Sequence, residues 1–179
     1  LVDGGIASEV YFENAEVSHD ALLGEAGKAS ATVRKVMDEA VVGLCAEAVG
    51  LMQQMNELTQ SYTKERKQFG VLISKFQVLQ HRMVDMFMEH EQSISMTYMA
   101  TLKLNEDEET RKKAVSGAKV RIGQGGRFVG QEAVQIHGGS GYMRDTEVNR
   151  LYRTGRVLEV GAGTQEVRKL ISAGELLKE

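Results

Sequence analysis

The sequence contains no proline, no tryptophan and a single cysteine, Cys45. Proline stops helices and is frequent in loops, so its absence from 179 residues points to long helices joined by short connections. One cysteine excludes an internal disulfide and suits a reducing compartment, of which the bacterial type of cytoplasm is the first expectation. The sequence has no basic block, and its formal net charge is −3. Nucleic-acid and membrane-surface roles therefore lack their usual electrostatic footprint. No apolar run approaches the length of a membrane span. The chain opens at Leu1 without a methionine or a signal-peptide pattern, so it reads as a piece of a longer protein.

What is present fits a soluble globular domain. Hydrophobic residues make up 42% and charged residues 26%, a balance that supports a sizeable core. Nineteen glycines supply the punctuation that proline does not. Residues 1–29 differ from the rest. Asp3-Gly4-Gly5 reads as a turn, and residues 7–13 carry β-type residues with loose alternation. One strand or hairpin is expected there, the end of a preceding β domain, followed by a linker through Gly24 and Gly27.

From Ser30 the period becomes helical. Val33, Val36, Ala40, Val41, Leu44, Ala48, Leu51, Met52, Met55, Leu58 and Tyr62 predict a long helix to about Arg66. A second helix carries Phe76, Leu79, Met83, Met86, Phe87 and Ile94 and ends near Lys103. Asn105 to Glu109 is a polar turn with an acidic first turn, a helix start. The third helix carries Val115, Ala118, Ile122, Val129, Ala133 and Ile136 and ends at Gly138-Gly139. A shorter helix is expected over 145–153, and a last one from Thr164 with Val167, Leu170, Ile171 and Leu176 on one face. The fold class is all-α, an antiparallel helical bundle over 30–179 with a short β remnant before it.

Three segments carry candidate chemistry. His137 to Tyr142 places glycines past a helix end, which serves as a C-cap or as close approach to a ligand. Tyr62 to Gly70 sets cations at a helix C-terminus, which complement the dipole or grip a phosphate. Glu159 to Arg168 contains Gly161-Ala162-Gly163-Thr164, whose helix-opening amides cap the helix or bind an anion or carbonyl. Taken singly, each is explained by capping. No metal is expected. A di-iron bundle needs two Glu-x-x-His pairs, and Glu16-Val17-Ser18-His19 is the one match. His81 and His90 lack that spacing. Met83, Met86, Met88, Met96 and Met99 read as adaptable core.

In order and spacing, the three segments resemble the acyl-CoA dehydrogenase family across nearly the whole chain. Phe76-Gln77 with Gln80, Gln135 to Tyr142, Arg150 to Arg153 and Gly161 to Arg168 all match. Residues 7–24 resemble the family's last middle-domain strand and its exit. Gly161-Ala162-Gly163-Thr164 looks most like the isovaleryl-CoA dehydrogenase branch. Cys45 to Gly50 with Arg66 to Gly70 resembles pimeloyl-CoA dehydrogenase-type small subunits.

The resemblance implies FAD, acyl-CoA as substrate, an electron-transferring flavoprotein or similar acceptor, a role in fatty-acid metabolism, and a homo- or hetero-oligomer built as a dimer of dimers. It implies that Arg66, Gln68 and Gln77 contact a neighbouring subunit's FAD, with Gln135, Ile136, His137, Gly138 and Gly139 lining the same cofactor. Thr164, Gln165 and Glu166 would touch the chain's own FAD. Asp38, Ala162 and Gly163 would lie by the acyl thioester.

The pattern departs at the catalytic base. The family's usual Glu directly before Gly-Thr is Ala162 here. The isovaleryl branch's alternative, counted back without gaps from Arg66, is Ala40. Glu39 is the neighbouring acid, rotated about 100° around the helix. Either a local helix shift lets Glu39 act as base, or this is a base-less subunit that completes a partner's FAD site. A helical interaction module without cofactor is the third reading.

Overall fold

The computed structural model describes residues 4–177. Three long helices run up, down and up: α1 (Ser30–Glu65), α2 (Gln77–Leu102) and α3 (Glu108–His137). Between α1 and α2 lies a small antiparallel hairpin, β1 (Lys67–Gln68) with β2 (Val71–Leu72), pairing Lys67 with Leu72 and Gln68 with Val71. A short turn of helix, α4 (Gly139–Tyr142), follows α3. The fourth position of the bundle is shared by α5 (Glu147–Val160) and α6 (Gln165–Leu176). Contacts of α5 with Lys119 and Gly130, and of α6 with Gly123, set both antiparallel to α3 and end to end along it. The fourth helix is thus broken at residues 161–164.

α3 is the central helix and packs on α1, α2, α5 and α6. Asp107 caps its start, accepting from the Thr110 amide at 2.9 Å and the Thr110 hydroxyl at 2.7 Å. Its expected face, Val115, Ala118, Ile122, Val129, Ala133 and Ile136, is buried. Opposite it, α1 buries Val41, Cys45, Met52, Met55, Thr59 and Thr63, at steps of three, four and seven that keep one helix face. Truncating a side chain such as Met52 would cost about 2–5 kcal/mol. Glycine lets neighbours come close to α3. A Cβ on Gly130 would sit 2.9 Å from Tyr152 Cδ2, and one on Gly125 would sit 3.0 Å from Ser93 Oγ.

Several expectations are corrected. Residues 7–13 are exposed and form no strand, because the described residues offer them no partner strand. The expected turn at Asp3-Gly4-Gly5 begins outside the described residues. The helix expected to end near 153 continues to Val160, through Gly155. Val33 and Val36 are exposed; α3 begins at Glu108, whose carboxylate meets Arg34 at 3.0 Å, so the first turn of α1, with Val33, lies beyond it. Phe87, Met88 and Met99 point outward on α2, whereas Met86 is fully buried. On α6 the apolar face is only partly covered, with Ile171 half-buried. Val167, Leu170 and Leu176 are exposed, while Gln165 and Arg168 are buried. Polar groups of the helix break occupy the space facing α3, which turns the apolar stripe away.

Candidate functional site

One candidate region forms where α1 ends. Arg66 leaves the helix in extended conformation, and its carbonyl accepts from the Ile73 amide at 2.9 Å, which closes the hairpin. Phe69 and Gly70 form the two-residue loop, with φ of +53° and +81°. Positive φ at both positions is the type I′ geometry that matches strand twist. It strains Phe69, whose ring is nevertheless 91% exposed. Across from the hairpin, α3 ends at His137. Tyr62 stacks on the His137 ring at 4.4 Å and donates to the His137 carbonyl at 3.2 Å. The His137 Nδ1 lies 2.8 Å from the Ala133 carbonyl. Burial holds the imidazole below its ordinary pKa, partly opposed by that carbonyl, so it is neutral at pH 7.

Arg66, Gln68, Ile136, His137, Gly138 and Gly139 line one open cleft of about 440 Å³. Two of these groups come from the exit of α1 and its hairpin, and four from the junction of α3 and α4. Gly138 has φ +58° and ψ −137°, a conformation for glycine. A Cβ on Gly138 or Gly139 would meet nothing within 4 Å, so the backbone there faces open space. The Arg66 guanidinium is exposed and has no carboxylate partner among the described residues. An unpaired guanidinium beside bare backbone suits a phosphate group of a dinucleotide. Gln77 and Gln135 are exposed nearby, outside the cleft lining.

The second region is the helix break. Ala162 (φ +54°) and Gly163 (φ +98°) turn the chain, and Thr164 caps α6 by accepting from the Val167 amide at 3.5 Å. Arg168 donates to the Ala162 carbonyl from Nη2 at 2.6 Å and Nε at 3.1 Å. Gln165 is buried and donates to the Glu159 carboxylate at 2.6 Å, which also meets Arg127 at 3.2 Å and Arg156. Gln165 is therefore spent on the fold. Glu166 is exposed, and its own backbone amide and the Thr164 hydroxyl hold its carboxyl below the usual range.

Beside the break, Arg34, Asp38, Lys112, Ser116 and Arg168 line a groove of about 450 Å³. Asp38 accepts from Arg111 Nε at 3.0 Å, with both side chains nearly buried. Glu39 and Ala40 are exposed and outside this lining. The groove's acids are thus Asp38, already neutralised by an arginine, and Glu175 of α6, while Glu39 points elsewhere on α1.

The two regions stand well apart. Cys45 and Asp38 mark the level of the break on α1, 20 and 27 residues before Glu65. At 1.5 Å per residue this is about 30–40 Å. Sequence reasoning missed Lys119 and the Asp38–Arg111 pair. A lysine amid Val115, Ala118 and Ile122 on one face was the available signal for Lys119. The described residues contain no cluster of metal-ligating side chains and no helix long and apolar enough to cross a membrane.

Comparison with known proteins identifies the architecture. The model of the acyl-CoA dehydrogenase C-terminal domain matches residues 30–177. The chain is 34% identical over 171 residues to a 3-(aryl)acrylate reductase of Clostridium sporogenes, covering 96% of this chain and 45% of that protein. It is 33% identical to the mitochondrial isovaleryl-CoA dehydrogenase of Oryza sativa subsp. japonica, covering 98% of this chain and 43% of that protein. The butyryl-CoA dehydrogenase structure from Megasphaera elsdenii superposes with a TM-score of 0.88 at 30% identity, covering 93% of this chain and 43% of that one. The chain thus spans a little under half the length of these relatives. With its bundle, its broken fourth helix and its match over 30–177, the chain belongs to the acyl-CoA dehydrogenase family, as the C-terminal helical domain.

Proposed function

We propose that this chain is the C-terminal domain of an FAD-dependent acyl-CoA dehydrogenase, with residues 1–29 as the end of its middle β domain and the linker. The observation that carries this is the convergence of Arg66, Gln68, His137, Gly138 and Gly139 on one cleft from segments some seventy residues apart. Arg66 would hold the pyrophosphate of a neighbouring subunit's FAD, and the bare backbone at Gly138-Gly139 would lie along it. Gln77 and Gln135 would border it. Thr164 and Glu166 would meet the chain's own FAD at the helix break, with Asp38, Ala162 and Gly163 beside the acyl thioester. When bound, the flavin supplies the hydride acceptor for α,β-dehydrogenation of an acyl-CoA. An electron-transferring flavoprotein or similar acceptor would take the electrons, in a reducing compartment such as the bacterial cytoplasm. The test is the full-length protein. It is expected to purify yellow, with flavin absorbance. A preparation that stays colourless after FAD is added would contradict the proposal.

A second reading is favoured by the acids. Ala stands at both expected base positions, 40 and 162, Glu39 is exposed away from the groove, and Asp38 is tied to Arg111. A base-less subunit, completing a partner's FAD site in a hetero-oligomer, fits these facts. Full-length protein alone would then bind flavin but fail to reduce an electron acceptor with acyl-CoA. Turnover by the protein alone, abolished by Glu39→Gln, would overturn this reading.

A further inference from the structure

A helix broken inside a bundle frees backbone groups that its continuation would have satisfied. At the break between α5 and α6, the freed carbonyls are met by two buried cations. Lys119, 3% exposed, donates from Nζ to the Leu158 carbonyl at 2.6 Å and the Glu159 carbonyl at 3.0 Å. Arg168 holds the Ala162 carbonyl with two donors. A cation at a helix C-terminus complements the dipole. Lys119 makes no ion pair with a carboxylate among the described residues, although the Glu159 carboxylate lies nearby and is bound by Arg127 and Arg156. Lys119 also lies near Arg168 and the Cys45 thiol, whose pKa burial pushes up to about 11. Burying an ammonium on carbonyls alone is costly, and burial accordingly lowers the Lys119 pKa. An unbroken fourth helix would need no such donor. The lysine is there because the chain must stop and turn at this level, with Ala162 and Gly163 both at positive φ.

We propose that Lys119 is a positioning residue for the 161–164 turn, fixing the end of α5 so that Gly163, Thr164 and Glu166 meet the cofactor in one geometry. The role of the turn toward FAD rests on the function proposed above; the clamp itself does not.

Hydrogen exchange on the full-length holoprotein, with FAD titration alongside, separates the two. In Lys119→Met, amides of 158–166 are expected to exchange at least about tenfold faster, while the hairpin at 67–72 stays unchanged. FAD is expected to dissociate about tenfold more readily, the equivalent of losing one charge-assisted hydrogen bond. Lys119→Arg, which keeps a cation at the same carbonyls, should restore most of both. If Lys119→Met fails to fold, Lys119→Arg and Lys119→Gln carry the test, and graded loosening of the turn with graded loss of FAD affinity is the expected pattern. Unchanged exchange at 158–166 would overturn the clamp. Faster exchange with wild-type FAD affinity would overturn the positioning role. A wild-type protein that binds no FAD would instead remove the function proposed above, with the exchange data still deciding the clamp.

Discussion

Where α1 ends, Arg66 stands exposed beside two glycines, and the hairpin that carries it buries little. Near the start of α1, the charged groups Asp38, Arg111, Lys119 and Arg168 are buried and already bonded to one another or to backbone. The donors of the first region are unspent. The second borders a groove of similar size, but its donors hold the protein itself. The exposed end can lose a side chain with little damage to the fold, so its substitutions report on binding. At the helix break, stability and binding are coupled, because the residues that would touch ligand are held by residues that brace the bundle.

The contrast can be broken at several places. The largest effect is expected from Asp38→Ala. Removing one partner of a buried pair leaves the Arg111 charge uncompensated, at a cost of about 3–5 kcal/mol. Urea unfolding of the full-length protein measures it, and a loss below about 1 kcal/mol would mean the pair does not brace this end. Arg66→Ala comes next and has the opposite profile. Stability should change by less than about 0.5 kcal/mol. FAD affinity should fall by roughly 10- to 100-fold, the worth of hydrogen bonds to a charged group. Thr164→Ala removes a cap whose bond is long, at 3.5 Å, so a loss of about 1 kcal/mol or less is expected.

The smallest effect concerns pH. Burial lowers the His137 pKa in the folded state, so the unfolded chain takes up its proton first as pH falls. Stability should therefore decline as pH drops below the ordinary histidine value of about 6.5, and level off once the folded form is protonated too. His137→Gln should flatten that slope in pH-dependent melts. An unchanged slope would place the titration elsewhere.

Much of the bundle was legible in the sequence. The α3 face from Val115 to Ile136 keeps an unbroken helical period, and Asp107 announces its start. α5 was read too short, because Gly155 looks like a stop and the packing that carries the helix through it is tertiary. The hairpin was missed since each strand has two residues and its loop is Phe69-Gly70, without the usual Asn-Gly or Asp-Gly signal. α6 was read as one apolar face, of which only Ile171 is partly covered. Its apolar stripe is real, but Gln165 and Arg168 are drawn inward by Glu159 and the Ala162 carbonyl. The same limit applies to the site. Arg66 and Gly138-Gly139 stood out as motifs. That Asp38 is committed to Arg111, 73 residues away, has no local trace. Lys119 serves carbonyls, and carbonyls leave no mark in a sequence.

Sharing of FAD between subunits is the central claim. It is tested most directly by co-producing two full-length variants, Arg66→Ala and Gly163→Val, under different tags and isolating the mixed oligomer. Each variant alone should be poor in flavin. In a twofold assembly, the mixed pair has one site with both defects and one with neither, so it should regain roughly half of the wild-type flavin content. A mixed oligomer no richer in flavin than its parents would contradict the sharing of one cofactor between the two ends.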